Sequence, residues 1–372
     1  MRILRINTLE GPHLGGAEQY IVETNRALRS RGHEARNLFL SAHTVQLDDP
    51  SAATFYRLVP PFGLPRVLRR AAGWAGDAEW INFHAQEFRP DIVHLHNAFT
   101  ALPAIARFAD QTAVPFVMTV HGSDPDFPIE KPPLVERILY FPWRGLFDRK
   151  VVPKVRAFIC PSYANKSYLD AHGYRPTEMV RSFIQQPDNA PSHGPLTSPF
   201  RVGYIGRLET AKGLPELLHA WTELHRRLNG GISLDIAGAG PRRVPSGPGI
   251  ILRGRVSGEE KDRWYSGIDV LVIPSRSYEN LPLVAVEALA RAIPVIASDN
   301  GGLREVLDGG RFGFLLPPGF HPAQLAESIE HVRDHYDEAV QRAKKGQEYV
   351  RQEFTEERHM ERLLSIYEAV LR

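Results

Sequence analysis

Short apolar segments alternate with amphipathic helical stretches along the whole chain, and this alternation restricts the fold to parallel α/β architecture. In the first half, strands are expected near residues 2–7, 35–40, 91–96, 115–120 and 156–160, with helices near 16–30, 100–110 and 163–171. The run Ser182-Phe-Ile-Gln-Gln-Pro-Asp-Asn-Ala-Pro-Ser-His-Gly-Pro-Leu-Thr-Ser-Pro199 breaks the pattern. Its Pro, Ser, Asn and Gly suit neither a helix nor an inner strand. The alternation then restarts, with strands near 201–206, 232–237, 249–252, 269–273, 294–298 and 313–316 and helices near 214–228, 283–291 and 322–334. Two Rossmann-like, doubly wound domains follow: residues 1–185, a linker at 186–199, and residues 200–354. Sheets of this kind bind ligands beyond the carboxyl ends of their strands, so the active site is expected in the cleft between the domains.

The length of 372 residues agrees with two cores rather than one. A net charge of +2 is too balanced for nucleic acid to be the main partner. The single cysteine, Cys160, excludes an intrachain disulfide framework and a cysteine-rich zinc site. The start, Met1 to Asn7, carries charge inside its apolar run and reads as a strand rather than a signal peptide. No stretch approaches the roughly 18 apolar residues that span a bilayer. A soluble, cytoplasmic protein is expected, attached at most to the inner face of the membrane.

The sharpest motif is Pro274-Ser-Arg-Ser-Tyr-Glu-Asn-Leu-Pro-Leu-Val-Ala-Val-Glu-Ala-Leu-Ala-Arg-Ala-Ile-Pro-Val-Ile-Ala-Ser298. A strand runs into a polar loop, and a helix starts near Pro282. Glu279 lies before that helix and Glu287 within it. The first N–H groups of the helix, at Leu283 and Val284, suit a phosphate. Two carboxylates beside them suit sugar and ribose hydroxyls. A glutamate pair alone is ordinarily a solvated helix flank, so the context decides. A second motif, Val202-Gly-Tyr-Ile-Gly-Arg-Leu-Glu-Thr-Ala-Lys-Gly213, sets Arg207 and Lys212 on a short loop after Gly206. A planar fork and a point charge suit different oxygens of a diphosphate.

Together these segments resemble the signature of glycosyltransferase family 4, retaining enzymes of the GT-B fold. The resemblance implies that Arg207 and Lys212 grip the diphosphate of a nucleotide-sugar donor, that Glu279 meets its sugar, that Asn280 and Leu281 belong to the donor site, and that Glu287 holds the ribose. Gly238, in Ile236-Ala-Gly-Ala-Gly-Pro241, matches a turn lining the nucleotide pocket, and Arg255-Val256 match the place where the base is held through backbone groups. Asp299-Asn-Gly-Gly-Leu-Arg-Glu305 is read as a structural turn. Asn280 and Ala292 stand where the family often has glycine. Alanine is strained in a left-handed helix cap, so the turn at Ala292 is expected to differ locally.

In the first half, Leu9-Glu-Gly-Pro-His-Leu-Gly-Gly-Ala-Glu18 puts Gly15 and Gly16 after the first strand. There backbone N–H groups can approach an anion, and in the family such a loop faces donor phosphate and acceptor. His121 ends the strand Phe116 to Val120, and the family keeps a histidine at that place that orients the donor sugar. His94 and His96 share one face of a strand, a spacing open to metal ligation or to structural use. Asp124-Pro-Asp126 mimics a metal-binding pair of a different glycosyltransferase fold. No metal and no cofactor are expected, because in the family cations and helix ends carry the leaving-group charge. Basic residues in 131–154 and at 66–70 read as solvated helix faces or as a lipid-facing surface. The helix expected over 357–372 is assigned to the N-terminal domain, as GT-B enzymes cross back at their end. The expected activity is retaining hexosyl transfer from a UDP-sugar, or a GDP-sugar, to a glycan, lipid-linked or small-molecule acceptor in bacterial polysaccharide or glycoconjugate synthesis. An epimerase of the same fold and a non-catalytic sugar-nucleotide sensor are the rivals.

Overall fold

A computed structural model describes residues 1–9, 16–41, 53–57, 74–96, 102–121, 144–187, 196 and 198–372. The described chain forms two compact units, Met1–Phe183 with Glu356–Arg372, and Ile184–Thr355.

In the first unit the order is β1 (Arg2–Leu9), α1 (Gly16–Ser30), β2 (Glu34–Ser41), β3 (Ala53–Arg57), α2 (Trp74–Phe88), β4 (Ile92–His96), α3 (Leu102–Gln111), β5 (Phe116–Thr119), β6 (Val155–Cys160), α4 (Tyr163–Ala171) and β7 (Thr177–Met179). The strands form a parallel sheet in the order β3-β2-β1-β4-β5-β6-β7. Side chains alternate between its faces. One face is apolar throughout: Leu4 and Ile6, Leu38 and Leu40, Val93 and Leu95, Phe116 and Met118 pack together in a core with α2 and α3. The other face changes along the strands. Its lower rows hold Ile3, Ala35, Ile92 and Val117 beneath α1 and the last helix. Towards the carboxyl ends come Arg5, Asn7, Asn37, His94, His96 and Thr119, all buried.

The second unit runs β8 (Phe200–Ile205), α5 (Leu214–Arg227), β9 (Ile232–Ala237), β10 (Ile250–Gly254), α6 (Gly258–Ser266), β11 (Val270–Ile273), α7 (Leu283–Ala290), β12 (Val295–Ser298), α8 (Gly301–Val306), β13 (Phe314–Leu316), α9 (Pro322–Asp334) and α10 (Tyr336–Glu353). Its parallel sheet has the order β10-β9-β8-β11-β12-β13. The chain moves outward from β8 through β9 to β10, then returns to lay β11 on the other side of β8. That reversal places the loops after β8 and β11 side by side at the carboxyl edge. The last helix, α11 (Glu356–Leu371), belongs to the first unit. It buries Met360, Leu363 and Tyr367 against Ile3, Ala27, Val117 and Ile159. Each such side chain is worth about 2 kcal/mol of burial.

Several elements fall where the sequence pattern shows none. In α6 only Trp264 and Tyr265 are buried, too few for a visible period. In α10 the inward positions include Ala339, Ala343 and Gly346, small residues that add little hydrophobicity yet allow close packing on Leu289 and Phe312. Strand β3 and helix α2 likewise lie in a stretch with no periodic signal.

The turn after α7 corrects the expectation for Ala292. It is an ordinary left-handed cap with Ala292 at φ +53°, Ala292 N–H bonded to Leu289 O (2.8 Å) and Ile293 N–H to Ala288 O (3.0 Å). The paired bonds hold alanine in a conformation that glycine takes without strain. Ala292→Gly should therefore change stability by less than about 1 kcal/mol, relief of strain offsetting the lost methyl. Ala290→Gly, inside the same helix, should cost well over 1 kcal/mol. Denaturant melts of both variants check this; equal losses would contradict it.

Candidate functional site

The second unit joins its two leading motifs at the reversal of strand order. After β8 the chain makes a short turn over Thr210–Lys212, and the Nζ of Lys212 lies 2.6 Å from Oε1 of Glu279, on the loop after β11. The Ser275 hydroxyl donates to the same carboxylate oxygen. The loops are sewn together by backbone bonds: Arg276 N–H and Ser277 N–H both donate to Ala211 O, at 2.8 and 3.0 Å. Their approach is so close that a Cβ at Gly213, which has φ +72°, would overlap the Pro274 carbonyl oxygen.

A third loop, after β12, fixes Glu279 from the other side. Asn300 donates to the carbonyls of Ser275 and Ser277 (3.1 and 3.0 Å) and accepts from Glu279 N–H (3.3 Å). Gly302 N–H donates to Glu279 O at 2.7 Å, and a Cβ at Gly302 would overlap the Asn280 carbonyl. Asn280 is itself buried. The stretch Asn300-Gly301-Gly302, read from sequence as a structural turn, is thus the clamp on the glutamate loop.

Glu287 is held separately, in the middle of α7. Lys261 Nζ lies 2.7 Å from one carboxylate oxygen, and the Tyr265 hydroxyl donates to the other at 2.8 Å. Burial beside this carboxylate drives the Tyr265 phenol well above its usual range. Arg291 braces the group, donating to Glu287 O at 2.8 Å, pairing with Asp262 and lying over the Tyr265 ring. At the start of α7, Pro282 is the cap residue and offers no side-chain bond. The first two N–H groups, of half-buried Leu283 and Val284, have no backbone partner among the described residues.

Arg207 is not drawn into the Lys212–Glu279 pair. Its side chain is 71% exposed and pairs with Glu209 at 3.0 Å, while its carbonyl accepts from Tyr204 OH. Gly206 N–H donates to Ala237 O (3.1 Å) and Gly238 N–H to Gly254 O (2.6 Å), which aligns the ends of β8, β9 and β10. Arg255 is exposed and Val256 buried just beyond β10, and Leu281 is half-buried.

In the first unit, His121 lies two residues beyond the end of β5. Its Nε2 lies 2.8 Å from His96 Nδ1, and the edge of Tyr20 packs on its ring at 5.2 Å. His96 Nε2 meets the buried guanidinium of Arg5, through Nε at 3.2 Å and a terminal nitrogen at 3.0 Å. Arg5 also donates to Ile21 O and to Asn25 Oδ1. His94 is held between Tyr367 OH (2.6 Å) and Thr119 Oγ1 (2.7 Å). His359, on α11, lies 3.3 Å from Tyr20 OH. Both ring nitrogens of His94 and His96 are therefore engaged by protein groups. Gly16 is the first residue of α1; Gly15 lies outside the described residues, as do Asp124, Asp126, Arg66–Arg70, Lys131 and Arg137.

A model of glycosyl transferases group 1 matches residues 199–335, and one of glycosyltransferase family 4 matches residues 14–182. The chain belongs to the family 4 glycosyltransferases. A GDP-mannose-dependent alpha-mannosyltransferase of Mycobacterium tuberculosis is 27% identical to this glycosyltransferase, over 91% of the chain and 90% of its own length. A glycogen synthase of the same organism is 29% identical over 72% of this chain and 66% of its own length. Sucrose-phosphate synthase from Thermosynechococcus elongatus superposes with a TM-score of 0.81 at 19% identity, over 100% of this chain and 99% of that one. HepE from Anabaena, solved in complex with UDP, gives 0.71 at 18% identity, over 100% and 98%. At those identities the structural likeness speaks for the fold, which is GT-B.

Several residues of the candidate site and of the His121 cluster are invisible to motif reading. Ser275, Lys261, Tyr265 and Asn300 act by contact with a motif glutamate, and Arg5 sits inside a strand. Only the two adjacent glycines after Asn300 signal close packing. Among the described residues, no group of three or more His, Cys, Asp or Glu is placed to hold a metal, and no helix is long and apolar enough to cross a membrane. In the basic stretch ending at Lys154, Arg144 pairs with Asp148 and Lys150 with Asp110.

Burial, with the Arg5 charge nearby, lowers His94 and His96 well below the usual imidazole range; burial first and Arg5 second bring His121 to about 3. Burial takes His359 to about 4. All four are neutral in the folded enzyme near pH 7. The unfolded chain titrates them near 6.5 and so binds more protons below that pH. Stability should fall as pH drops from about 6.5 towards 3, with His121 alone contributing about 2 kcal/mol of loss at pH 5. Thermal midpoints from pH 8 to 5 check the trend, and histidine NMR checks its cause. Four imidazoles that do not titrate in that range are expected; titration of all near 6.5 would contradict the assignment.

Proposed function

We infer that this glycosyltransferase moves a hexosyl group, with retention of anomeric configuration, from a nucleotide-sugar donor bound on its second unit. The observation that carries the reading is the Lys212–Glu279 ion pair at the switch between β8 and β11. A diphosphate arriving there offers Lys212 two negative charges in place of one. The carboxylate of Glu279, still fixed by Ser275 and the Asn300 clamp, is then left to accept hydroxyl hydrogens of the donor sugar. Glu287, set by Lys261 and Tyr265, takes the ribose hydroxyls, while Leu283 and Val284 N–H and exposed Arg207 face the phosphates.

As the bond from the anomeric carbon to the diphosphate oxygen breaks, negative charge grows on the leaving group. Lys212, Arg207 and the helix end are worth most at that stage. The acceptor hydroxyl forms the new bond on the same face, and its proton passes to the departing phosphate oxygen. No protein nucleophile, metal or cofactor is required. His121 is assigned to orienting the donor sugar. UDP-sugars are the first donors to try, supported by the UDP complex of the HepE fold relative; the GDP-mannose named for the mycobacterial relative supports a GDP-sugar as the second. The acceptor is a glycan or lipid-linked saccharide of bacterial polysaccharide synthesis, met in the cytoplasm or at the inner membrane face.

The two glutamates separate the roles. Glu279→Gln should leave nucleoside diphosphate binding within about twofold of wild type but weaken the nucleotide sugar and its turnover. Glu287→Gln should weaken both ligands alike, by about 1–3 kcal/mol. Calorimetric titration with UDP, UDP-glucose, GDP and GDP-mannose decides it. Equal losses of nucleoside diphosphate in both variants would refute the partition, and unchanged binding in both would refute the site.

A further inference from the structure

The hydrogen bonds around His121 specify more than its position. Arg5 has donors only, so His96 Nε2 must carry a lone pair. A neutral His96 then bears its proton on Nδ1 and donates it across 2.8 Å to His121 Nε2. That nitrogen of His121 must also be a lone pair. The one remaining place for the His121 proton is Nδ1, which bonds to no described residue. A cationic His121 would set two N–H groups against each other at 2.8 Å, so the geometry excludes it independently of burial.

We propose that Arg5 is a positioning residue of this enzyme: through His96 it fixes His121 as a neutral ring with its proton on Nδ1, presenting one donor to an oxygen of the bound nucleotide sugar. The proposal rests on the reading of His121 as a donor-sugar contact. Burying a guanidinium is costly unless its donors are used. Arg5 is 1% exposed and spends four of its five N–H groups on His96, Ile21 O and Asn25. A methionine would fill the same space for packing alone; what arginine adds is a donor-only head that cannot accept a proton from His96. Tyr20, edge-on to both rings, and His94, whose ring is tilted 34° from that of His96 with centroids 4.1 Å apart, keep the imidazoles in place.

The test reads the tautomer directly. Long-range proton–nitrogen correlation spectra of the full chain, labelled with 15N-histidine, report which nitrogen of each ring is protonated. The missing signals of His121→Gln assign that residue. In wild type, His121 should be protonated on Nδ1 alone. In Arg5→Met it should pass partly or wholly to the Nε2 tautomer, and turnover of whichever of UDP-glucose or GDP-mannose is accepted should fall roughly tenfold or more. Arg5→Lys keeps a donor-only head and should retain the wild-type tautomer. Wild-type His121 protonated on Nε2, or an unchanged Nδ1 tautomer in folded Arg5→Met, overturns the proposal. Where Arg5→Met does not fold, the wild-type and Arg5→Lys spectra decide it, an Nε2 tautomer in either overturning it. Full turnover in His121→Ala would instead remove the role of His121 and leave the relay standing.

Discussion

Close approach of backbone at the carboxyl edge of the second sheet is the constraint from which the site follows. Three loops, after β8, β11 and β12, touch through carbonyl oxygens where side chains would collide, at Gly213 and Gly302. Only because of that contact can Lys212 and Glu279, 67 positions apart, come within 2.6 Å. The ion pair holds both groups ready at modest cost, since each side chain keeps some exposure and the carboxylate has a second partner in Ser275. Neither charge is stranded before a ligand arrives.

The first unit faces a different problem. Its sheet carries polar side chains on a buried face, an arrangement that burial penalises unless each group finds a partner. Arg5, His96 and His121 form one chain of donors and acceptors, and Thr119, His94 and Tyr367 another, while the side chains of Asn7 and Asn37 bond to no described residue. Helix α11 completes the second chain through Tyr367 and sets His359 against Tyr20. Tyr367 and His359 supply partners that no local segment could. The thiol of Cys160, buried nearby in the apolar face and pushed up to about 12, stays out of this chemistry.

Strands β11 and β12 were legible because parallel strands buried on both faces read as apolar runs; β1, β2 and β4 carry polar residues on one face and still showed short apolar segments. Helices with wide apolar stripes, such as α5 with Leu214, Leu217, Trp221 and Leu224, were legible for the same reason. Helix α10 was not, because Ala339, Ala343 and Gly346 dilute the apolar period of an inward face that otherwise holds Tyr336, Val340 and Val350. The two motif loops announced themselves through charge and glycine spacing. Tyr265 and Asn300 did not, since a residue that works by holding another carries no pattern of its own. Ala292 shows the converse error: a preference for glycine was read as a requirement, where two backbone bonds suffice to hold alanine.

The central claim is that the switch between β8 and β11 receives the donor diphosphate. Hydrogen-exchange mass spectrometry of the full chain, with and without saturating UDP or GDP, tests it without assuming an acceptor. Slowed exchange concentrated in residues 206–213 and 282–287 is the predicted result. Binding that leaves those segments unchanged, or that protects only the first unit, would contradict it.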